Sequence, residues 1–175
     1  KEQVLTQTKE DLDSHQGKNP DELLLDLAIE KRNKLKAEFK ALGKDVNPLV
    51  LIQLPNDDKK LINQGQETKE QIVTKYLKKQ SIDTDKDVAY WFDGREKNME
   101  FISDNNCDIN FMLFKQAAGT GWDCPRAHIL VMFREIISPT FHTQTIGRIL
   151  RMPEPHLADD YKLNPNLRTG FLYTN

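Results

Sequence analysis

Apolar residues first settle into a clear period between positions 24 and 42. Leu24, Leu27, Ala28, Leu35, Phe39 and Leu42 recur at the steps of one helix face, with charged residues between them. Asn19-Pro20-Asp21-Glu22 precedes this run and supplies a cap, a proline for the first turn and acids for the positive end of the helix dipole. Gly43 follows it as a stop. The pattern predicts an amphipathic helix of about six turns.

The period then changes. Residues 48–54 (PLVLIQL) are almost continuously apolar between two prolines, which predicts a strand buried on both faces, as in a parallel sheet. Thr68-Lys69-Glu70-Gln71 reads as a capping box, with Ile72, Val73, Tyr76 and Leu77 on the inner face of the helix it opens. Residues 88–92 (VAYWF) predict a second strand closed by Asp93-Gly94, and residues 97–103 a short helix. Residues 109–114 (INFMLF) and 127–133 (AHILVMF) predict two more strands. Ser138-Pro139 repeats the cap-then-proline signal and predicts a helix to about Met152, which Pro153 ends; residues 170–173 (GFLY) predict a last strand. Strands alternating with helices imply an α/β domain with a mostly parallel sheet and helices on both faces. Residues 1–18 are polar and poorly periodic and read as a lead-in or linker, leaving one domain over 19–175.

Composition narrows the setting. The 175 residues carry 25 Lys+Arg against 27 Asp+Glu, a net charge of −2, with a mean hydropathy of −0.66. No apolar run approaches the ~20 residues of a bilayer span, and the first residues lack the apolar core of a secretory signal. Cys107 and Cys124 are too few for a disulfide framework and lack zinc-site spacing, so a cytoplasmic setting is expected. The chain begins at Lys1 and stops just after an apolar stretch, and reads as a piece of a longer protein.

Seven arginines are present, and four of them fall between Arg126 and Arg151. Guanidinium forks match phosphate geometry and stay charged, so this clustering suits an oxyanion ligand. Yet the chain has no G-x-x-x-x-G-K-[ST] loop to cradle a triphosphate and no full G-x-G-x-x-G fingerprint. Nothing in the sequence places His128 or His142 beside Cys124 as a catalytic pair, and Asp104, Asp108 and Asp123 lack the spacing of a calcium loop.

Two segments carry chemistry. Residues 114–127 (FKQAAGTGWDCPRA) join two buried strands through small residues, where Gly119 and Gly121 permit close backbone approach and Asp123 adds an acceptor. A plain Gly-Asp turn stiffened by Pro125 remains the alternative. Residues 144–151 (QTIGRILR) place Gln144, Arg148 and Arg151 at i, i+4 and i+7, so one helical face would show an amide and two guanidinium groups. Gly147 weakens that helix by ~1 kcal/mol relative to Ala and leaves room for another backbone. Solvated or salt-bridged arginines are the alternative here. Asp93-Gly94-Arg95 also lies at the carboxyl end of a strand, where backbone groups can meet phosphate.

Taken together, GxDxPxA followed by QTIGRILR resembles motifs V and VI in the second RecA-like lobe of superfamily 2 helicases. The wording FKQAAGTGWDCPRAHILVMFRE, then TQTIGRILRMPEP, with PLVLIQLPN upstream, is similar to the ATP-dependent restriction subunits of type III restriction-modification enzymes, over residues 21–175. The resemblance implies a RecA-like three-layer domain. It implies that Arg148 and Arg151 reach toward a triphosphate as catalytic groups, that Gln144 helps position the nucleotide or its water, and that Gly121 and Asp123 lie near the ribose and the lobe interface. Lys115 and Gln116 fall where the family contacts nucleic-acid backbone, although the family more often has a hydroxyl in place of Lys115; Gly94 and Arg95 are placed with them. It further implies ATP and Mg2+ held mainly by a first lobe that is not in this sequence, and DNA and a methyltransferase modification subunit as partners of the parent enzyme. Half a motor is expected to be inactive alone. A lobe of another superfamily 2 motor acting on DNA repair intermediates or RNA, and a non-catalytic nucleic-acid or protein-binding module, are the competing readings.

Overall fold

The computed structural model describes residues 1–8, 19–115, 122–133 and 139–174. In chain order these form β1 (Gln3–Thr8), α1 (Pro20–Ala41), β2 (Leu49–Gln53), α2 (Lys59–Asn63), α3 (Lys69–Lys79), β3 (Val88–Phe92), β4 (Arg95–Lys97), β5 (Phe111–Phe114), β6 (Ala127–Met132), α4 (Pro139–Gly147) and β7 (Thr169–Thr174). The described strands make one sheet in the order β1-β7-β6-β2-β5-β3-β4, parallel everywhere except the β3–β4 hairpin.

Local chemistry sets the element ends. Asn19 accepts from the Asp21 amide to start α1. Its end is a Schellman turn: Gly43, at φ 69°, donates to the Lys40 carbonyl while Lys44 donates to that of Phe39. Thr68 and Gln71 form the capping box of α3 in both directions. All five residues of β2 are buried, as are all of β5 and β6. Strand alternation sorts their side chains into two apolar layers. Val50, Ile52, Leu113 and Val131 meet Leu24, Leu35 and Phe39 of α1 and Val73 and Leu77 of α3. Leu49, Leu51, Met112 and Leu130 pack on the other side with Ile102, Cys124 and Ile149. The sheet is thus covered on both faces, a three-layer α/β arrangement.

Three expectations change. Part of the lead-in is structured: β1 pairs in register with β7 from Gln3–Thr169 to Thr8–Thr174. An edge strand is held by backbone hydrogen bonds and needs little apolar patterning, which is why QVLTQT gave no periodic signal. Residues 97–103 do not form a helix. Lys97 ends β4, and Asn98 and Phe101 adopt φ of 57°, which interrupts any helix there; the Asn98 amide instead donates to the Asp85 and Val88 carbonyls. The third change concerns α4, which does not run to Met152. It tightens into a 3-10 turn over Arg148–Leu150, and Arg151 is extended. Met152 precedes Pro153, which disfavours helix at that point. Ile149 is buried in the second layer, with its carbonyl against Gly170, where an added Cβ would lie 3.0 Å from it. Close backbone approach therefore occurs at Gly170 rather than at Gly147, around which the space is open. Ser138, the expected cap, is outside the described residues.

His128 is the second residue of β6, fully buried in an edge-type contact with Phe39. Its Nδ1 is 2.9 Å from the Arg126 carbonyl, and its Nε2 has no partner among the described residues. Burial, reinforced by the Lys1 ammonium, pushes its pKa well below the usual range and keeps the ring neutral. A depressed folded-state value means that stability is whole above the unfolded pKa of about 6.5 and is lost as pH falls below it, by up to about 1.4 kcal/mol per pH unit. Urea unfolding of wild type and His128→Leu across pH 5–8 is expected to show this extra loss only in wild type. Parallel profiles would assign the acid sensitivity to other groups.

Candidate functional site

The candidate residues fall into two groups. At the carboxyl edge, Lys115 directly follows β5, and Gly94 and Arg95 follow β3. Gly94 adopts φ 72° and lets the chain reverse between β3 and β4, with Phe92 opposite Arg95. The Lys115 ammonium lies 5.1 Å from the Phe92 ring centroid and the Arg95 guanidinium carbon 4.6 Å from it. Lys115 pairs with Asp57 at 2.6 Å and Arg95 with Glu70 at 2.5 Å. Gln116 and Gly121 lie outside the described residues.

The second group sits over the second apolar layer. Trp122 packs edge-on against Trp91, with ring centroids 5.6 Å apart. The half-buried Arg148 guanidinium stands 5.4 Å from the Trp122 ring and donates to the Trp122 carbonyl at 3.3 Å. Burial lowers the Arg148 pKa; an arginine nonetheless stays charged at neutral pH. The next residue, Asp123, pairs with Arg151 at 3.8 Å. Gln144 is exposed on α4. The expected single helical face for Gln144, Arg148 and Arg151 is not found, since α4 ends between Gln144 and the arginines. What brings the two arginines to one place is instead the loop: consecutive residues, Trp122 and Asp123, hold one each.

Beneath this loop Cys124 is buried, and its burial raises the thiol pKa, opposed by the Arg126 guanidinium. A protonated, enclosed thiol is a poor nucleophile. Arg126 is also fully buried, donating from Nε to the Ile102 carbonyl at 2.7 Å and from Nη1 to those of Asn47 and Ile109 at 2.7 and 2.8 Å. It thereby fastens the loop to the starts of β2 and β5. A second buried guanidinium, Arg32, is bound by the side chains of Asn47 and Asn110, and burial, with Arg126 nearby, lowers its pKa to about 10.

Sequence reasoning did not single out Trp91, Trp122, Phe92, Asp57 or Glu70, nor Gln53. The last closes β2, fully buried, with neither side-chain amide atom paired among the described residues. Alternation puts it on the face of Leu49 and Leu51, beneath the second group. A lone amide inside the apolar run PLVLIQL was the available signal. The chain matches no family model, and no curated protein matches it.

Proposed function

We propose that this chain is the second motor lobe of an ATP-dependent DNA translocase of the kind found in type III restriction enzymes, supplying arginines to an ATP site shared with a first lobe. The observation that carries this reading is the pairing of Trp122 and Asp123 with Arg148 and Arg151. It joins the two segments that resemble motifs V and VI, on one face of a parallel sheet. Two guanidinium groups brought to one loop by a carbonyl, an aromatic ring and one exposed carboxylate suit the phosphate end of ATP, because the planar fork matches phosphate oxygens and keeps its charge. The resemblance assigns Mg2+ mainly to the first lobe, as the partner of the triphosphate held there. ATP with its metal would supply the phosphoryl group to be transferred. This chain contributes charge and position: Arg148 stabilises negative charge on the phosphoryl oxygens, Asp123 orients Arg151, and Gln144 offers an exposed amide from α4. Lys115 and Arg95, with Gln116 and the Gly94 backbone, contact the DNA strand. Closure of two lobes on ATP and reopening after hydrolysis would shift that grip. In the parent enzyme the modification subunit is the further partner.

Because the phosphate cradle belongs to the other lobe, the purified chain is expected to show no ATP turnover. Phosphate release that follows the chain through purification and vanishes in Arg148→Ala would contradict the division of labour between the lobes.

A further inference from the structure

Lys115 and Arg95 come from different strands, yet both rest on the Phe92 ring. Cations gathered on a half-buried aromatic ring at a sheet edge are the makings of a strand-binding surface. Here, however, each cation already holds a carboxylate from another element. Asp57 lies in the loop before α2, and Glu70 in the first turn of α3. A guanidinium takes carboxylate and phosphate oxygens in the same planar fork, and an ammonium accepts either as a point charge. We propose that Asp57 and Glu70 are built-in competitors for the nucleic-acid backbone, occupying on Lys115 and Arg95 the seats that two phosphates take when a strand binds.

The proposal rests on the reading of this edge as nucleic-acid-binding. The exchange breaks no strand pairing, because neither carboxylate belongs to the sheet. Phe92 holds the two cations in place while their partners change, so the surface is ordered before the strand arrives. The Arg95 side chain is 55% exposed and that of Lys115 21%, so an incoming phosphate meets Arg95 openly and reaches Lys115 from its one solvent side. Partly exposed pairs are weak, and freeing each cation should tighten binding about threefold, or about tenfold for the two together. Salt dependence should change as well. A displaced carboxylate leaves its negative charge beside the strand. Without it, the slope of log K against log salt should steepen, by less than the ~0.7 that one added phosphate contact contributes on a single strand.

The test is fluorescence anisotropy of a labelled oligothymidylate, titrated with the full chain at low and moderate salt, with melting curves as folding controls. Asp57→Asn/Glu70→Gln is expected to bind about tenfold more tightly than wild type, with the steeper slope, and Lys115→Ala/Arg95→Ala more weakly. Asp57→Asn alone, which leaves the first turn of α3 intact, is expected to give about a threefold gain. If neither carboxylate variant binds more tightly while the cation variant weakens, the competition is refuted and the binding edge stands. If none of the variants changes affinity, the edge itself is misassigned and the proposal falls with it.

Discussion

Replacing Arg126 with methionine is expected to destabilise the domain by about 3 kcal/mol. Methionine fills much of the same space, so the loss isolates the hydrogen bonds. In a buried place that water does not reach, the Asn47 and Ile109 carbonyls would lose the Arg126 donor and the Ile102 carbonyl would keep only the weak Cys124 thiol at 3.5 Å. Each orphaned carbonyl costs about 1 kcal/mol or more. Relief of repulsion with Arg32 returns part of this, since the two buried guanidinium groups oppose one another. Arg126→Lys should rescue little, because one ammonium cannot span acceptors from three segments. Urea unfolding checks the result, and a loss below about 1 kcal/mol would mean that the carbonyls find other donors.

The second large effect falls on turnover. In the polypeptide that holds both lobes, Arg148→Ala is expected to reduce ATP hydrolysis about 10³-fold or more, the scale of a lost arginine finger. The same change removes a cation–π contact and a long hydrogen bond to Trp122 among its interactions and should shift stability by about 1 kcal/mol or somewhat more, small beside the effect on turnover. Arg148→Lys should not restore activity, because it keeps the charge and loses the fork. Arg151→Ala should do less than Arg148→Ala, since among the described residues Arg151 is held by the exposed Asp123 pair, at 3.8 Å. Steady-state phosphate release with DNA present, beside a melting curve, separates these effects. Arginines that served only as surface charges would leave release near normal.

Much of the fold was legible because its determinants are local or binary. The Asn-Pro start of α1, the capping box of α3 and the unbroken apolar runs of β2, β5 and β6 each declare themselves within a few residues. What escaped depends on distant partners. β1 exists because β7 offers it a ladder, and the 98–103 turns exist because the Asn98 amide finds carbonyls ten or more positions back. The arginine pair was legible as chemistry and misread as geometry. A repeat of i, i+4 and i+7 assumes that the helix continues, whereas the chain changes to a 3-10 turn at Arg148. Proximity of the two side chains survives through Trp122 and Asp123, contacts that no periodicity within residues 144–151 encodes. The same holds for Asp57 and Glu70, whose meaning appears only when β5 and the β3–β4 hairpin bring Lys115 and Arg95 to them.

The most direct measurement is single-turnover ATP cleavage by the two-lobe polypeptide, wild type and Arg148→Ala, beside the equilibrium affinity of each for ATP. An arginine that acts on the transferring phosphoryl group should leave affinity within a few-fold and slow cleavage about 10³-fold. Cleavage at the wild-type rate, with or without a change in affinity, would contradict the assignment of Arg148 to the shared ATP site.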